Sequence, residues 1–311
     1  MNMLKSKIGR ACLKGHLCRN EPIKKLFGGI NRYGLWRAIT GLFAFFRIKL
    51  IHPKSSVIST ATDGLKINFN YPEQFIPTLA LFRELAEPEY EFLRRVISKD
   101  SVFFDVGAGI GTYSIFTAQF TQGPIHAFEP IYENMKIFKK NIEANFKSIN
   151  VRLNLTALSN IEGFGSIHKA NNLFGSWLEN ESTEYSQDSI QVTTLDAYCL
   201  EHQIKQIDIL KIDVEGHELK VLEGARESLA KKIIHVMILE DNHNVEKIAD
   251  FLRDYQYLFF FFDYRDNSLV SIWPVNEERK NQLRPSIFSS NILLIQEESF
   301  DLFQHKFVKV T

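Results

Sequence analysis

The chain has 311 residues, with 37 Lys or Arg against 37 Asp or Glu, and is 45% hydrophobic and 13% aromatic. Such values describe a folded globular protein that buries a substantial core, and they exclude disordered, collagen-like and small disulfide-stapled chains. The neutral total hides an asymmetry: residues 1–50 hold eleven basic side chains and one acid, Glu21, a balance of +10, so the other 261 residues carry −10. The three cysteines, Cys12, Cys18 and Cys199, have no C-x-x-C spacing, no apolar run approaches the roughly eighteen residues of a membrane span, and the start lacks a signal-like apolar stretch. Together these read as a reduced, cytosolic protein.

The first predicted element is a helix within 32–51. Leu35, Ile39, Leu42 and Phe46 fall at i, i+4, i+7 and i+11, flanked by Trp36 and Phe43, with Arg32, Arg37, Arg47 and Lys49 nearby. This is a basic amphipathic pattern, which reads either as peripheral contact with an anionic membrane or as a helix packed on the domain. Residues 1–85 are expected to form an N-terminal extension outside the sheet, and residues 86–311 the main domain.

From residue 101, short apolar runs alternate with helical patterns: SVFFDV (101–106), PIHAFE (124–129), NVRLNL (150–155), IDILKID (207–213) and KIIHVMILE (232–240). The order predicts an α/β doubly wound sheet, its strands covered on both faces. Ile131, Met135, Phe138, Ile142 and Phe146 form one helical stripe; Leu222, Ala225 and Leu229 form a second, and Val245, Ile248, Ala249 and Leu252 a third. QYLFFFFDY (256–264) and SNILLIQ (290–296) predict an antiparallel pair joined by a polar, Pro-containing loop. Segment 156–195 has no helical stripe and reads as an irregular insertion bordering the site.

Four acids, Asp105, Glu129, Asp213 and Glu240, sit near the carboxyl ends of predicted parallel strands, the edge where open α/β sheets bind ligands. D-V-G-A-G-I-G-T (105–112) follows the first strand and opens a helix, so Gly107, Gly109 and Gly111 admit close backbone approach to a nucleotide. The dinucleotide fingerprint G-x-G-x-x-G is not met, because the sixth position from Gly107 is Thr112. Glu129, 24 residues beyond Asp105, is placed to accept both hydroxyls of an adenosine ribose.

The ordered set EPEYEFLRRVISKDSVFFDVGAGIGTYS, AFEP, TTLDAY, IDILKIDVEGHE, VLEGA and SNILLI resembles the FkbM-type S-adenosylmethionine-dependent methyltransferases over about residues 87–240 and the last strand. The resemblance implies a class I methyltransferase sheet of seven strands, the last antiparallel, with S-adenosylmethionine across Asp105 to Gly111 and its ribose on Glu129. One departure is Gly109, where the family commonly has Asn. The family also carries the Asp and Glu of D-V-E-G, here Asp213 and Glu215.

A hydroxyl acceptor needs its proton removed, and the fourth and fifth strands end in acids and histidines. Asp213, Glu215, His217 and His243 are the candidate catalytic residues. Asp213 with Glu240 and Asp241 also offers hard oxygen ligands suited to Mg²⁺. N-N-L-F-G-S-W (171–177) offers Phe174 and Trp177 for stacking and Asn171, Asn172 and Ser176 for hydroxyls, or else is a surface loop anchored by aromatics. The expected acceptor is therefore a sugar, a glycolipid or polysaccharide precursor, or a polyketide-like metabolite, and not nucleic acid, because the catalytic region is net acidic. The rival readings are an NAD-dependent dehydrogenase of the same sheet type and a non-catalytic cofactor-binding module.

Overall fold

The structure is a computed structural model that describes residues 29, 30, 32–51, 55–168, 176–182, 189–240, 244–287 and 291–310. Helix α1 (Leu35–Ile51) precedes a hairpin of β1 (Ser56–Ser59) and β2 (Lys66–Phe69), then helices α2 (Pro77–Phe82) and α3 (Glu89–Val96). Strands and helices next alternate as β3 (Phe103–Val106), α4 (Thr112–Thr117), β4 (Ile125–Phe128), α5 (Tyr132–Asn145) and β5 (Val151–Asn154). Four short strands follow: β6 (Ala157–Leu158), β7 (Gly163–His168), β8 (Trp177–Ser182) and β9 (Ile190–Thr193). Alternation resumes with α6 (Leu195–Glu201), β10 (Ile207–Ile212), α7 (Glu218–Glu223), α8 (Arg226–Ala230), β11 (Ile234–Glu240) and α9 (Val245–Leu252). The remaining elements are β12 (Tyr257–Asp263), β13 (Ser268–Ser271), α10 (Glu277–Ile287), β14 (Asn291–Gln296), α11 (Glu297–Gln304) and β15 (Lys309–Val310).

The main sheet runs β15-β13-β12-β14-β11-β10-β3-β4-β5. Strands β5, β4, β3, β10 and β11 pair in parallel, and β14 lies antiparallel between β11 and β12. This is a mixed α/β, doubly wound sheet of the class I methyltransferase kind, with the expected antiparallel last strand, widened to nine strands by β13 and β15. The chain reverses between β3–β4 and β3–β10, and a ligand crevice opens at the carboxyl ends of strands flanking such a switch.

Two hydrophobic layers sandwich the sheet, because successive strand residues point to opposite faces. Phe103, Phe260 and Phe262 enter one layer, with α3, α4 and α5; Phe104, Phe259 and Phe261 enter the other, with α6, α8 and α9. The LFFFF run therefore fills both faces at once, each buried ring contributing roughly 1.5–3 kcal/mol. Leu65, Ile67, Phe69, Phe75 and Leu79, all upstream of residue 86, are buried in the first layer alongside the sheet.

Several expectations change. Segment 156–195 is not irregular: its described residues form a second sheet of order β6-β9-β7-β8. Strands such as GFGSIH and WLENES carry too little alternating apolar character to show the two-residue period. The β12–β14 connection, read as a loop, contains β13 and α10; the polar EERKNQLRPSI, with Pro285 inside it, hides that helix. The stripe Leu222, Ala225, Leu229 is buried as expected but is shared between two short helices, α7 and α8. Their junction, Gly224, lies so close to the Ser159 carbonyl that a Cβ would approach it to 2.0 Å. Helix α1 forms, yet its face toward the protein is Ala38 and Gly41 with Phe45 and Ile48, and the stripe Leu35, Ile39, Leu42, Phe46 is exposed. No helix among the described residues is long and apolar enough to cross a membrane.

Candidate active site

The turn after β3 makes the first wall of the site. Gly107 and Ala108 donate their N–H groups to the Phe128 carbonyl, both at 3.0 Å, which folds the loop back over β4. Gly107 has φ +73, and a Cβ there would meet the Asp213 carbonyl oxygen at 1.9 Å. Gly111, at φ +81, begins α4 against the Phe138 ring, which a Cβ would meet at 2.0 Å. These glycines are required both by left-handed backbone and by contact. Gly109 lies at φ +56, a region that asparagine also tolerates, so the departure from the family's usual residue leaves the turn geometry intact.

Glu129, just beyond β4, is held on both carboxylate oxygens. Its Oε2 accepts from the Gly109 N–H at 2.8 Å; its Oε1 accepts from the Ile131 N–H at 2.9 Å and the Asn134 amide at 3.2 Å. Burial raises its pKa, and these three donors pull in the opposite direction. The carboxylate is thus fixed facing the glycine loop, with lone pairs left for further donors.

Asp105 is placed differently from expectation: it is wholly buried beneath the loop and does not line the cavity. Its Oδ2 accepts from the Ser114 hydroxyl at 2.7 Å, and its Oδ1 lies 3.4 Å from the Lys211 ammonium. Lys211, on β10, is itself buried, 3.4 Å from Asp213 Oδ2, and donates to the Gly107 carbonyl at 2.8 Å. Desolvation disfavours this ammonium, but Asp213 and Asp105 outweigh it and raise its pKa above the ordinary lysine value. Lys211 escaped the sequence reading because one lysine inside the strand IDILKI is indistinguishable there from a surface residue.

Past β10 the chain turns through Asp213, Val214, Glu215, Gly216 and His217. Glu218, buried, accepts from the Val214 N–H at 3.3 Å and the Gly216 N–H at 3.1 Å and braces the turn from behind. Glu215 is consequently left-handed, with φ +54, an uncommon state for a residue with a side chain. Asp213, Glu215 and His217 all line one cavity with Glu240 from the end of β11. Carboxylate oxygens of Asp213, Glu215 and Glu240 lie within 4.8 Å of one another. His217 Nε2 is 2.8 Å from the Ser159 hydroxyl, joining the turn to the segment after β6. His243 and Asp241 lie outside the described residues, as do Asn171, Asn172 and Phe174; Ser176 lines the cavity.

The cavity, of about 510 Å³, is continuous from Glu129 to this acidic turn. Its remaining walls come from α3, the α2 region and segment 156–195, of which the sequence pointed only to the last. Tyr90 of α3 stacks on Tyr113 of α4 with ring centroids 4.4 Å apart, and Lys211 lies 5.2 Å from the Tyr113 ring centroid. Burial raises both phenol pKa values far above normal, so each ring is a neutral surface. Phe75, Ile76, Leu81 and Leu85 contribute an apolar wall from around α2, and Ile167 and Leu178 reach in from the small sheet.

Residues 105–259 match the family described as the methyltransferase FkbM domain. The chain is 28% identical over 149 residues to the hexuronic acid methyltransferase AglP of Haloferax volcanii, a match covering 48% of this chain and 59% of that protein. Among solved structures, a precorrin-6y C5,15-methyltransferase from Geobacter metallireducens is 16% identical with a TM-score of 0.33, over 54% of this chain and 69% of that one. An rRNA methylase from Streptococcus thermophilus is 13% identical with a TM-score of 0.36, over 68% and 96%. With its glycine loop, its two acidic strand ends and the matched stretch from 105 to 259, this part of the chain is an FkbM-type methyltransferase domain.

Proposed function

We propose that this protein transfers a methyl group from S-adenosylmethionine to a hydroxyl oxygen of a sugar, a glycolipid or polysaccharide precursor, or a similarly hydroxylated metabolite. The carrying observation is the single cavity that joins a carboxylate held for a ribose, Glu129, to a group of proton acceptors at Asp213, Glu215 and His217. The residues fit such a cofactor. The loop 107–111 admits close backbone approach, and Pro130, Ile131, Ala157 and Leu158 provide an apolar slot beside Glu129 for a flat heterocycle. S-adenosylmethionine supplies the electrophilic methyl group; the chain aligns the acceptor oxygen and removes its proton.

Asp213, Glu215 and His217 are the proposed base and orienting groups. Either carboxylate takes the hydroxyl proton directly, or His217 does so with its Nε2 partner Ser159 holding the ring in place. The hexuronic acid named for the AglP relative supports a sugar acceptor. The net charge of −10 on residues 51–311 favours neutral or cationic acceptors over nucleic acid. A second reading rests on the convergence of Asp213, Glu215 and Glu240: these carboxylates would hold a hard divalent cation such as Mg²⁺, with Glu215 in the place first assigned to Asp241. Full activity after exhaustive chelation removes that reading.

Calorimetric titration with S-adenosylmethionine, using NAD as control, tests the main reading. Saturable binding is expected for the wild type, with a loss of roughly tenfold to a hundredfold in Glu129→Ala from two missing charge-assisted hydrogen bonds. NAD binding in place of S-adenosylmethionine favours a dehydrogenase, and absence of both favours a non-catalytic module.

Because burial raises the Glu129 pKa, its carboxylate protonates at higher pH than an ordinary glutamate. Cofactor affinity is therefore expected to weaken early as pH falls through the acid range, whereas Glu129→Gln shows a flat profile there. The sign for folding is opposite: a raised folded-state pKa means that this group favours the folded apoprotein as pH falls and the advantage is lost as pH rises through the folded value. A parallel acid titration of affinity and apoprotein melting separates the two.

Lys211→Met leaves Asp105 as a buried carboxylate without its cation. A loss of about 3 kcal/mol in unfolding free energy is expected in denaturant titration; an unchanged midpoint contradicts the role given to the ammonium.

A further inference from the structure

Half of the exposed large hydrophobic residues in the described structure, eight of sixteen, belong to one helix, α1. Trp36 is 75% exposed, Phe43 81% and Leu50 80%. On a 3.6-residue wheel seven of the eight, all but Ile51, run from Leu42 through Phe46 and Ile39 to Trp36 across roughly 120°. Lys49 borders that arc on one side and Arg47 on the other, and both are exposed. The opposite face, Ala38 and Gly41 with Phe45 and Ile48, is already occupied by the protein: a Cβ on Gly41 would meet the Leu81 carbonyl oxygen at 1.8 Å. Arg37 is committed to buried Glu84 at 2.7 Å, which fixes the rotation of the helix and so the direction of its apolar arc.

We infer that α1 is a docking surface for an anionic lipid bilayer, lying flat with its apolar arc among the acyl chains and Arg47 and Lys49 at the headgroups. An apolar stripe of this width edged by cations on long stems is what an interfacial helix needs, because the stems cover apolar surface while their charges stay in water. Segment 29–51 contains Arg32, Arg37, Arg47 and Lys49 and no acid, and residues 1–50 together carry +10. Lipid phosphates complement that charge, whereas the same face of a second copy repeats it and repels. Trp36 and Phe43 are the anchors suited to the interfacial region. The docking stands independently of the methyltransferase reading. Combined with it, docking puts α2, whose backbone touches α1 and whose Leu81 lines the cavity, between the lipid surface and the site.

The test is flotation of the full chain with vesicles of phosphatidylcholine alone and of phosphatidylcholine with phosphatidylglycerol. Binding is expected to the anionic vesicles at low salt and to weaken as salt is raised. Trp36→Ala with Phe43→Ala should reduce partitioning about a hundredfold, and Arg47→Glu with Lys49→Glu at least about tenfold. All four positions are exposed, so unchanged melting and unchanged S-adenosylmethionine binding certify the fold of each variant. Absence of wild-type flotation overturns the proposal. So does wild-type-like flotation of Trp36→Ala with Phe43→Ala, or a dimer in light scattering that this double variant dissociates without any vesicle binding by the wild type. If the wild type floats but binds no S-adenosylmethionine, the docking stands and the methyltransferase reading falls.

Discussion

The buried ammonium of Lys211 is the interaction around which the site is organised. It lies between Asp105, under the glycine loop, and Asp213, at the mouth of the acidic turn, and it hydrogen-bonds the Gly107 carbonyl. One cation thereby joins β3, the loop after it and the end of β10. A buried carboxylate is expensive to strand, so the glycine loop and the acidic turn are fixed to each other by electrostatics as well as by the sheet. The close approach of Gly107 to the Asp213 carbonyl follows from the same arrangement, since a side chain there would force the two segments apart.

A line of amides runs from this centre to the N-terminal elements. Gln74 donates to Asn134 at 3.1 Å, and Asn134 donates to Glu129. Farther along α5, Asn141 accepts from the Asn68 N–H at 2.6 Å while its own amide donates to the Ile110 carbonyl at 2.9 Å. Gln74, in the turn between β2 and α2, is thereby linked through Asn134 to Glu129, and Asn68 of β2 is linked through Asn141 to the glycine loop, while Phe69 and Phe75 enter the core. A buried, fully partnered amide network of this kind specifies one arrangement more than it adds net stability.

Much of the main sheet was legible in the sequence because strands covered on both faces are apolar at every position and helices between them show a 3.6-residue stripe. The turn glycines Gly107 and Gly111 were legible because left-handed backbone in close contact with its neighbours demands glycine, and Glu129 because it ends a recognisable strand beside that turn. Lys211, Tyr90 and the α2 wall were not, since each matters through a partner distant in sequence: Asp105 lies 106 residues before Lys211, and Tyr113 is 23 residues past Tyr90. The orientation of α1 was likewise hidden. A wheel shows an apolar stripe but not which face the protein already occupies, and here small residues, Ala38 and Gly41, make the intramolecular contact.

The cavity is assembled from two kinds of chain. Its end around Glu129 comes from residues 106–134, a single unbroken β-α-β-α stretch, with Ala157 and Leu158 of β6 beside it, whereas the rest of its lining comes from separate excursions: the α2 region, the remainder of the small sheet and the ends of β10 and β11. Changes in those excursions that spare Gln74 alter the shape of the cavity without touching the hydrogen bonds at Glu129. The fold thus keeps the hydrogen-bonded end at Glu129 apart from walls whose shape can vary independently of it. The seam between them is the short path from Gly107 through Lys211 to Asp213.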